Sequence, residues 1–429
     1  MCEGDIIMKR NTLIYPIKRE YVSLFRYKEL LLDDSALIPV CVQGSRYSGV
    51  DIGELDKGEK LNIVVEDSFE TTLQQCSECI FTEYEDDILG KIDAAIKCKK
   101  DIICLFQFPS LEIEQNIIEK CKGENVTYKN YATIQPNIDL NISNNLAEIS
   151  VPVIAICGMS KETQKFDLQL AIRKRFLELG YKVTQVGTRK YSELFGMHNF
   201  PSYLLETNRE IDKIKYFNKY IKELEMLEEP EIIIVGIPDG MIPYDSEHPN
   251  GFGILGHYIS NAISVDCSVI SLAFNEYDKE FFDFIKEYMK YKFNFEPLYC
   301  HLSNIYHDIQ EDERFEDERL VIMGRKTLRS RIDEWHDKEI FVTLKGEVMD
   351  NIKNYIVFLL KEKFSVNMSE KLEHISFFNP KIGLGARDVI ILLFCIEEHF
   401  GIKFEETTLT NPSFCTLSGL EKEILKLQF

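Results

Sequence analysis

Val151-Pro152-Val153-Ile154-Ala155-Ile156-Cys157 is followed by Gly158-Met159-Ser160-Lys161-Glu162-Thr163-Gln164-Lys165, then by a helical pattern from Phe166 to Leu179 closed by Gly180. The first seven residues are almost continuously apolar, as in a strand buried on both faces of a parallel sheet. Gly180 supplies the left-handed residue on which helices commonly end. Tyr181 to Val186 then reads as a second strand, so strand, loop, helix and strand form one β-α-β unit. Further strands are expected at Glu231–Gly236 and Ser268–Leu272, which makes residues 149–342 an α/β domain.

Working outward, the N-terminal part has the same grammar. Short apolar runs recur at Thr12–Tyr15, Ala36–Val42, Leu61–Val65, Glu78–Phe81 and Asp101–Phe106. Amphipathic patterns at Asp87–Cys98 and Leu111–Cys121 lie between some of them. Alternation of this kind predicts a doubly wound, Rossmann-like domain over residues 1–148. The loop Gln43–Gly49 reads either as an ordinary turn or as a ligand loop at a sheet edge; it lacks a full glycine fingerprint. Asn- and Ser-rich residues 136–150 read as a linker. Residues 343–429 are all helical in pattern, with helices expected over Asp350–Phe364 and from about Asp388. The fold class is therefore α/β: two doubly wound Rossmann-like or P-loop-like domains and a small helical bundle. The acidic run over Ile309–Glu318 reads as a solvated loop.

The chain has 429 residues, 45% of them apolar, a net charge of -21 and a pI near 5.0. Such an acidic chain repels phosphate backbones, which argues against nucleic acid as a partner. Twelve cysteines are scattered, mostly in apolar runs, as in a reducing compartment. The pair Cys76 and Cys79 has no second pair to complete a zinc site, and acidic neighbours such as Glu78, Glu83 and Glu85 are expected to raise the thiol pKa values. No signal sequence and no run of ~20 apolar residues is visible, so a cytoplasmic protein with no membrane partner is expected.

The chemistry concentrates after the strand at Val151–Cys157. A phosphate loop needs glycines that let backbone amides close around an anion, a helix N-terminus, a lysine for the outer phosphates and a hydroxyl for magnesium. Here the order strand, Gly158, turn, Lys165, helix is kept, but Gln164 replaces the second glycine and Phe166 the hydroxyl residue. The gap from Gly158 to Lys165 is one residue longer than usual. Gln164 is expected to resist a left-handed backbone and so prevent standard closure. Two readings stand: a modified anion site using Gly158, Ser160, Lys161, Thr163, Lys165 and Asp167, or a relict loop that keeps only the fold. Asp239, in Pro238-Asp239-Gly240, and Arg189, after the next strand, are expected at the same edge. Lys165 and His198 are the catalytic candidates, for phosphoryl charge and proton transfer respectively. His248 and His257 lack ligand-like spacing, so no metal centre is expected.

Two stretches resemble known families. Ile382-Gly383-Leu384-Gly385-Ala386-Arg387-Asp388-Val389, Ile396-Glu397-Glu398-His399-Phe400-Gly401-Ile402 and Phe414-Cys415-Thr416-Leu417 resemble an acyl carrier protein. Ala386 stands where that family carries its serine, so the resemblance implies a carrier-shaped module without phosphopantetheine. Residues 11 to about 330 resemble clostridial peptide maturation system proteins, through Val153–Ser160, Lys165–Leu170, Gly180–Val183, Gly196–Pro201 and Asn250–Leu255. That resemblance implies an accessory role in making a ribosomally synthesised, modified peptide. The implied partners are the precursor peptide and a radical SAM or other modifying enzyme, with a homodimer also open. ATP and magnesium are the candidate cofactors. An ATP-dependent transferase or ligase and a non-catalytic scaffold are the alternatives.

Overall fold

β1 (Asn11–Tyr15) feeds two cores at once, because successive side chains point to opposite faces. In this computed structural model, which describes residues 11–85, 87–134, 145–206, 208–242, 252–296, 298–308, 319–336, 342–343, 350–400, 402–404 and 412–428, Leu13 and Tyr15 join one apolar cluster and Ile14 the other. The first sheet is parallel, in the order β2 (Ala36–Pro39), β1, β3 (Glu78–Phe81), β4 (Asp101–Cys104), β5 (Tyr128–Asn130). A four-residue helix, α1 (Ser23–Arg26), follows β1. One face of the sheet is covered by α2 (Phe69–Leu73), α3 (Ile88–Lys97) and α4 (Leu111–Glu124), through Phe69, Ile92, Ile96 and Ile117.

The opposite face corrects the expectation of a doubly wound first domain. Among the described residues no long helix of this domain lies there; Ile14, Leu37 and Ile80 pack instead with Phe166, Leu170, Tyr191 and Phe195 of the second domain. The expected strand at Leu61–Val65 is also absent. The Asp51 carboxylate accepts the amides of Gly53, Leu61 and Ile63, which folds this stretch as a loop touched only by isolated bridges.

The second sheet holds β6 (Val153–Gly158), β7 (Val183–Gly187), β8 (His198–Asn199), β9 (Ile232–Gly236), β10 (Cys267–Leu272), β11 (Leu298–Leu302) and β14 (Val342–Thr343). All are parallel, in the order β14-β11-β10-β6-β9-β7-β8. β12 (Ile305–Asp308) and β13 (Arg319–Ile322) form a separate antiparallel hairpin. Val153, Ala155, Ile233 and Val235 face α6 (Glu210–Glu228), α7 (Ile254–Ala262), α8 (Lys279–Phe293) and α9 (Arg325–His336), with Trp335 buried among them. Ile154, Ile156, Ile232 and Ile234 face the other way, onto α5 (Lys165–Glu178).

The same cluster continues into α10 (Asp350–Phe364), α11 (Ala386–Phe400) and α12 (Leu417–Gln428), through Ile356, Leu360, Leu392, Ile396, Leu420 and Ile424. Arg175 of α5 reaches the buried Glu421 of α12 at 3.0 Å. The C-terminal helices thus form part of the second sheet's outer layer. No helix among the described residues is long and apolar enough to cross a membrane. The acidic run at 309–318 and most of the 136–150 linker lie outside the described residues.

Candidate functional site

Gly158 closes β6, and a side chain is impossible there without rearrangement. A Cβ would lie 2.3 Å from Thr163 Oγ1 and 2.7 Å from the Ser160 carbonyl oxygen. The chain therefore folds back tightly over Gly158. Lys165, at the start of α5, fixes this curl from inside: its ammonium donates to the carbonyls of Ser160 and Lys161 at 2.9 Å and of Asp239 at 2.6 Å. Three donors meet three acceptors, so the lysine acts as a strut within the loop. Burial, the largest influence, pulls its pKa down to about 8; Glu162 opposes that shift and Arg189 adds to it.

The remaining carbonyls are tied down as well. Gly158 O accepts the Met241 amide at 3.0 Å and Met159 O the Ile242 amide at 3.4 Å. His307 Nε2 lies 3.0 Å from Glu162 O and 3.0 Å from Ser160 Oγ. A carbonyl only accepts, so that nitrogen carries the hydrogen and cannot take one from Ser160. The pair supports the loop and is not a nucleophile with its base. Thr163 O accepts from Ser271 Oγ, and Ser271 Oγ in turn lies 2.8 Å from His301 Nδ1. Gln164 O accepts the Leu168 amide at 3.1 Å.

Seven consecutive carbonyls, Gly158 to Gln164, are thus engaged. Against them, the backbone amides of Ser160 to Phe166 have no hydrogen-bond acceptor among the described residues. Several of these residues are buried, where unpaired amides are rare. A loop with its carbonyls turned inward and its amides unmet at a helix N-terminus is a cradle for an anion.

Gln164 corrects the sequence expectation. Its backbone is left-handed, φ 55° and ψ 20°, in the place where a phosphate loop has its second glycine. Gln164 Oε1 accepts the Asn304 amide at 3.1 Å, which helps to hold this unfavourable conformation. Phe166 does not enter the cradle as a plug. It packs edge-on to Tyr191 and Phe195, with ring centroids 5.3 and 5.8 Å away.

The cradle opens into a cleft of about 830 Å³, its mouth included. From the second domain come Lys161, Glu162, Lys165 and Asp167, with Thr188 and Arg189 after β7 and Pro238 and Asp239 after β9. The first domain contributes Arg19, Glu20 and Asp56. The loop after β1 and the loops after β6, β7 and β9 therefore meet here, so carboxyl edges of both sheets converge on one site. Arg189 lies 3.6 Å from Glu162. Burial, and then a hydrogen bond to Glu83, pushes the Glu20 carboxyl up. Asp56 is held by Arg26 at 2.5 and 2.7 Å. Asp239, also left-handed at φ 66°, turns its carboxylate to the Gly240 amide at 3.0 Å.

No family model and no curated protein matches the chain. Among solved structures, a DUF1611 family protein from Anabaena variabilis aligns with 79% of this chain and 96% of its own, at 8% identity and a TM-score of 0.49. A homoserine dehydrogenase from S. aureus covers 51% of each chain at 12% identity and 0.25. A D-lactate dehydrogenase from Treponema pallidum covers 79% of this chain and 90% of its own, at 9% and 0.18. All three scores lie below 0.5, so the Rossmann-like α/β fold rests on the strand register described above.

Of the residues singled out in the sequence, Gly158, Ser160, Lys161, Thr163, Lys165, Asp167, Arg189 and Asp239 gather at the cradle and its cleft. His198 does not line the cleft. It sits on the edge strand β8 with Nε2 2.5 Å from Glu228 Oε1, at the end of α6. Gln43–Gly49 is also outside the cleft, with Gly44 and Gly49 in left-handed turns. The Cys76 and Cys79 sulfurs lie 3.7 Å apart; their hydrogen bond holds the Cys76 thiol pKa down and, with burial, pushes that of Cys79 up, so the expected rise is met at Cys79 alone and Glu78 contributes least to it. The described cysteines are all free thiols. Arg19, Glu20, Asp56, His301 and His307 were missed. The only sequence signal for Arg19 and Glu20 was their place just after the first strand.

Proposed function

We propose that the cleft holds the phosphate of a small molecule, with a nucleotide as the candidate ligand. The observation that carries this reading is the run of amides from Ser160 to Phe166 that meet no acceptor among the described residues, beside seven engaged carbonyls. Pro238, Ile305 and Ile322 give the cleft an apolar wall beyond the cradle. Calorimetric titration with ATP, ADP and inorganic phosphate, each with and without magnesium, tests it. Saturable binding that Gly158→Ala abolishes is expected; a flat titration for all three ligands rejects the proposal.

The wider role we infer is that of an accessory protein in maturation of a ribosomally made peptide, with the C-terminal helices as a carrier-like element. Its support is the sequence resemblance in the two parts of the chain. Ala386, the first residue of α11, is exposed and has no hydroxyl to esterify. Incubation with a phosphopantetheinyl transferase and coenzyme A should therefore leave the mass unchanged. An ATP-dependent transferase is the second reading. It would need a cation other than Lys165 at the transferred group, since the Lys165 ammonium already serves three carbonyls; Lys161 and Arg189 are the cations placed for it.

A further inference from the structure

Away from the cleft, Ile14, Ile80 and Ile103 are register neighbours on β1, β3 and β4. They belong to the sheet face that meets α5 of the second domain and, among the described residues, no long helix of the first. Leu24, Leu31, Leu32 and Leu194 stand opposite, leaving a groove of about 1010 Å³ with its open mouth. One row nearer the strands' amino ends, Leu37, Thr12, Glu78 and Asp101 are in register. Two carboxylates therefore sit side by side on adjacent strands, an arrangement that like charges disfavour. Both line the groove and both are oriented. Thr12 Oγ1 donates to Glu78 Oε1 at 3.0 Å, and the Thr127 amide donates to Asp101 Oδ1 at 2.9 Å. Asp33 adds a third carboxylate at the mouth. The single cation of the lining, Lys129, is turned to the Tyr131 hydroxyl at 2.9 Å. Leu32, 73% exposed, forms an apolar lip.

An isoleucine floor beneath paired carboxylates is complementary to a molecule with an apolar chain and a positive end. We propose that this groove binds a linear aliphatic amine, its ammonium between Glu78 and Asp101 and its chain over Ile103 and Leu31 toward Leu32. The net charge of -21 favours approach of such a cation. The site is independent of the anion cradle.

Calorimetric titration of the full chain with octylamine, octanoate and octanol tests this. Octylamine should bind saturably, octanol weakly and octanoate not at all. Glu78→Gln with Asp101→Asn should weaken octylamine by at least about tenfold, the scale of lost charge-assisted hydrogen bonds. Ile103→Phe, which fills the floor, should abolish it. Leu32→Ser, at an exposed position, removes the apolar lip without adding charge, offers a variant whose fold is not at risk and should weaken chain binding. Octanoate binding as tightly as octylamine, or octylamine binding indifferent to both the carboxylate and the Leu32 changes, overturns the proposal.

Discussion

Lys165 shows how one side chain can link shape to charge. Its ammonium organises three carbonyls, and their orientation leaves the amides for a ligand. Lys165→Met should lose phosphate binding and destabilise the fold by about 2–4 kcal/mol, since each hydrogen bond from a charged donor contributes about 1.5–3 kcal/mol and relief of desolvation offsets part of that. Urea denaturation measures the second effect. The depressed pKa adds a pH signature. The folded value is about 8 against an ordinary 10.5, so between those limits the unfolded chain binds the extra proton. Stability of the unliganded protein should therefore rise with pH across that window, by up to about 3 kcal/mol. Anion affinity should fall over the same window, because the cradle loses its positive charge. Lys165→Met should remove the stability slope, and a wild-type protein lacking opposite trends would refute the assignment of that charge to the cradle.

The β6–α5 loop shows which parts of an element a sequence discloses. Strand, Gly158 and helix were readable because apolar runs and helical periodicity report burial directly. The conformation of Gln164 was not, because its left-handed backbone depends on Asn304, 140 residues away. The same holds for the props His301 and His307, which lie on and beyond β11 and reach the loop only through the fold. His198 is a lone titratable group in the sequence, and only tertiary structure places Glu228 beside it. At Gln164 the conformation itself can be tested. Gln164→Gly should keep the cradle and change stability by no more than about 1 kcal/mol, relief of the left-handed strain offsetting the lost bond and the freer unfolded chain. Gln164→Val should cost about 1–3 kcal/mol and weaken phosphate binding, because a β-branched residue tolerates that region poorly. Thermal melts with and without phosphate separate the two variants.

The two domains share the cleft and the apolar cluster around Phe166, while the C-terminal helices share the cluster on the far side of α5. That packing makes these helices a structural layer, whatever else they do. A freely tethered module would leave the rest of the chain unaffected by its removal. Here, ending the chain at residue 343 would strip apolar contacts from Phe176, Val269 and Tyr299 and leave Arg175 without Glu421. The truncated protein should melt at lower temperature, bind a hydrophobic dye and tend to aggregate, as expected for a newly exposed apolar face. Glu421→Gln isolates the ionic part. With Arg175 partly open to water, its cost should be only about 1–2 kcal/mol, well short of the effect of deletion. Because α5 carries the cradle at one end and meets this layer along its length, deletion should also weaken phosphate binding. A truncated chain with unchanged melting temperature and unchanged phosphate affinity would show instead that the C-terminal helices hang from the α/β body without supporting it.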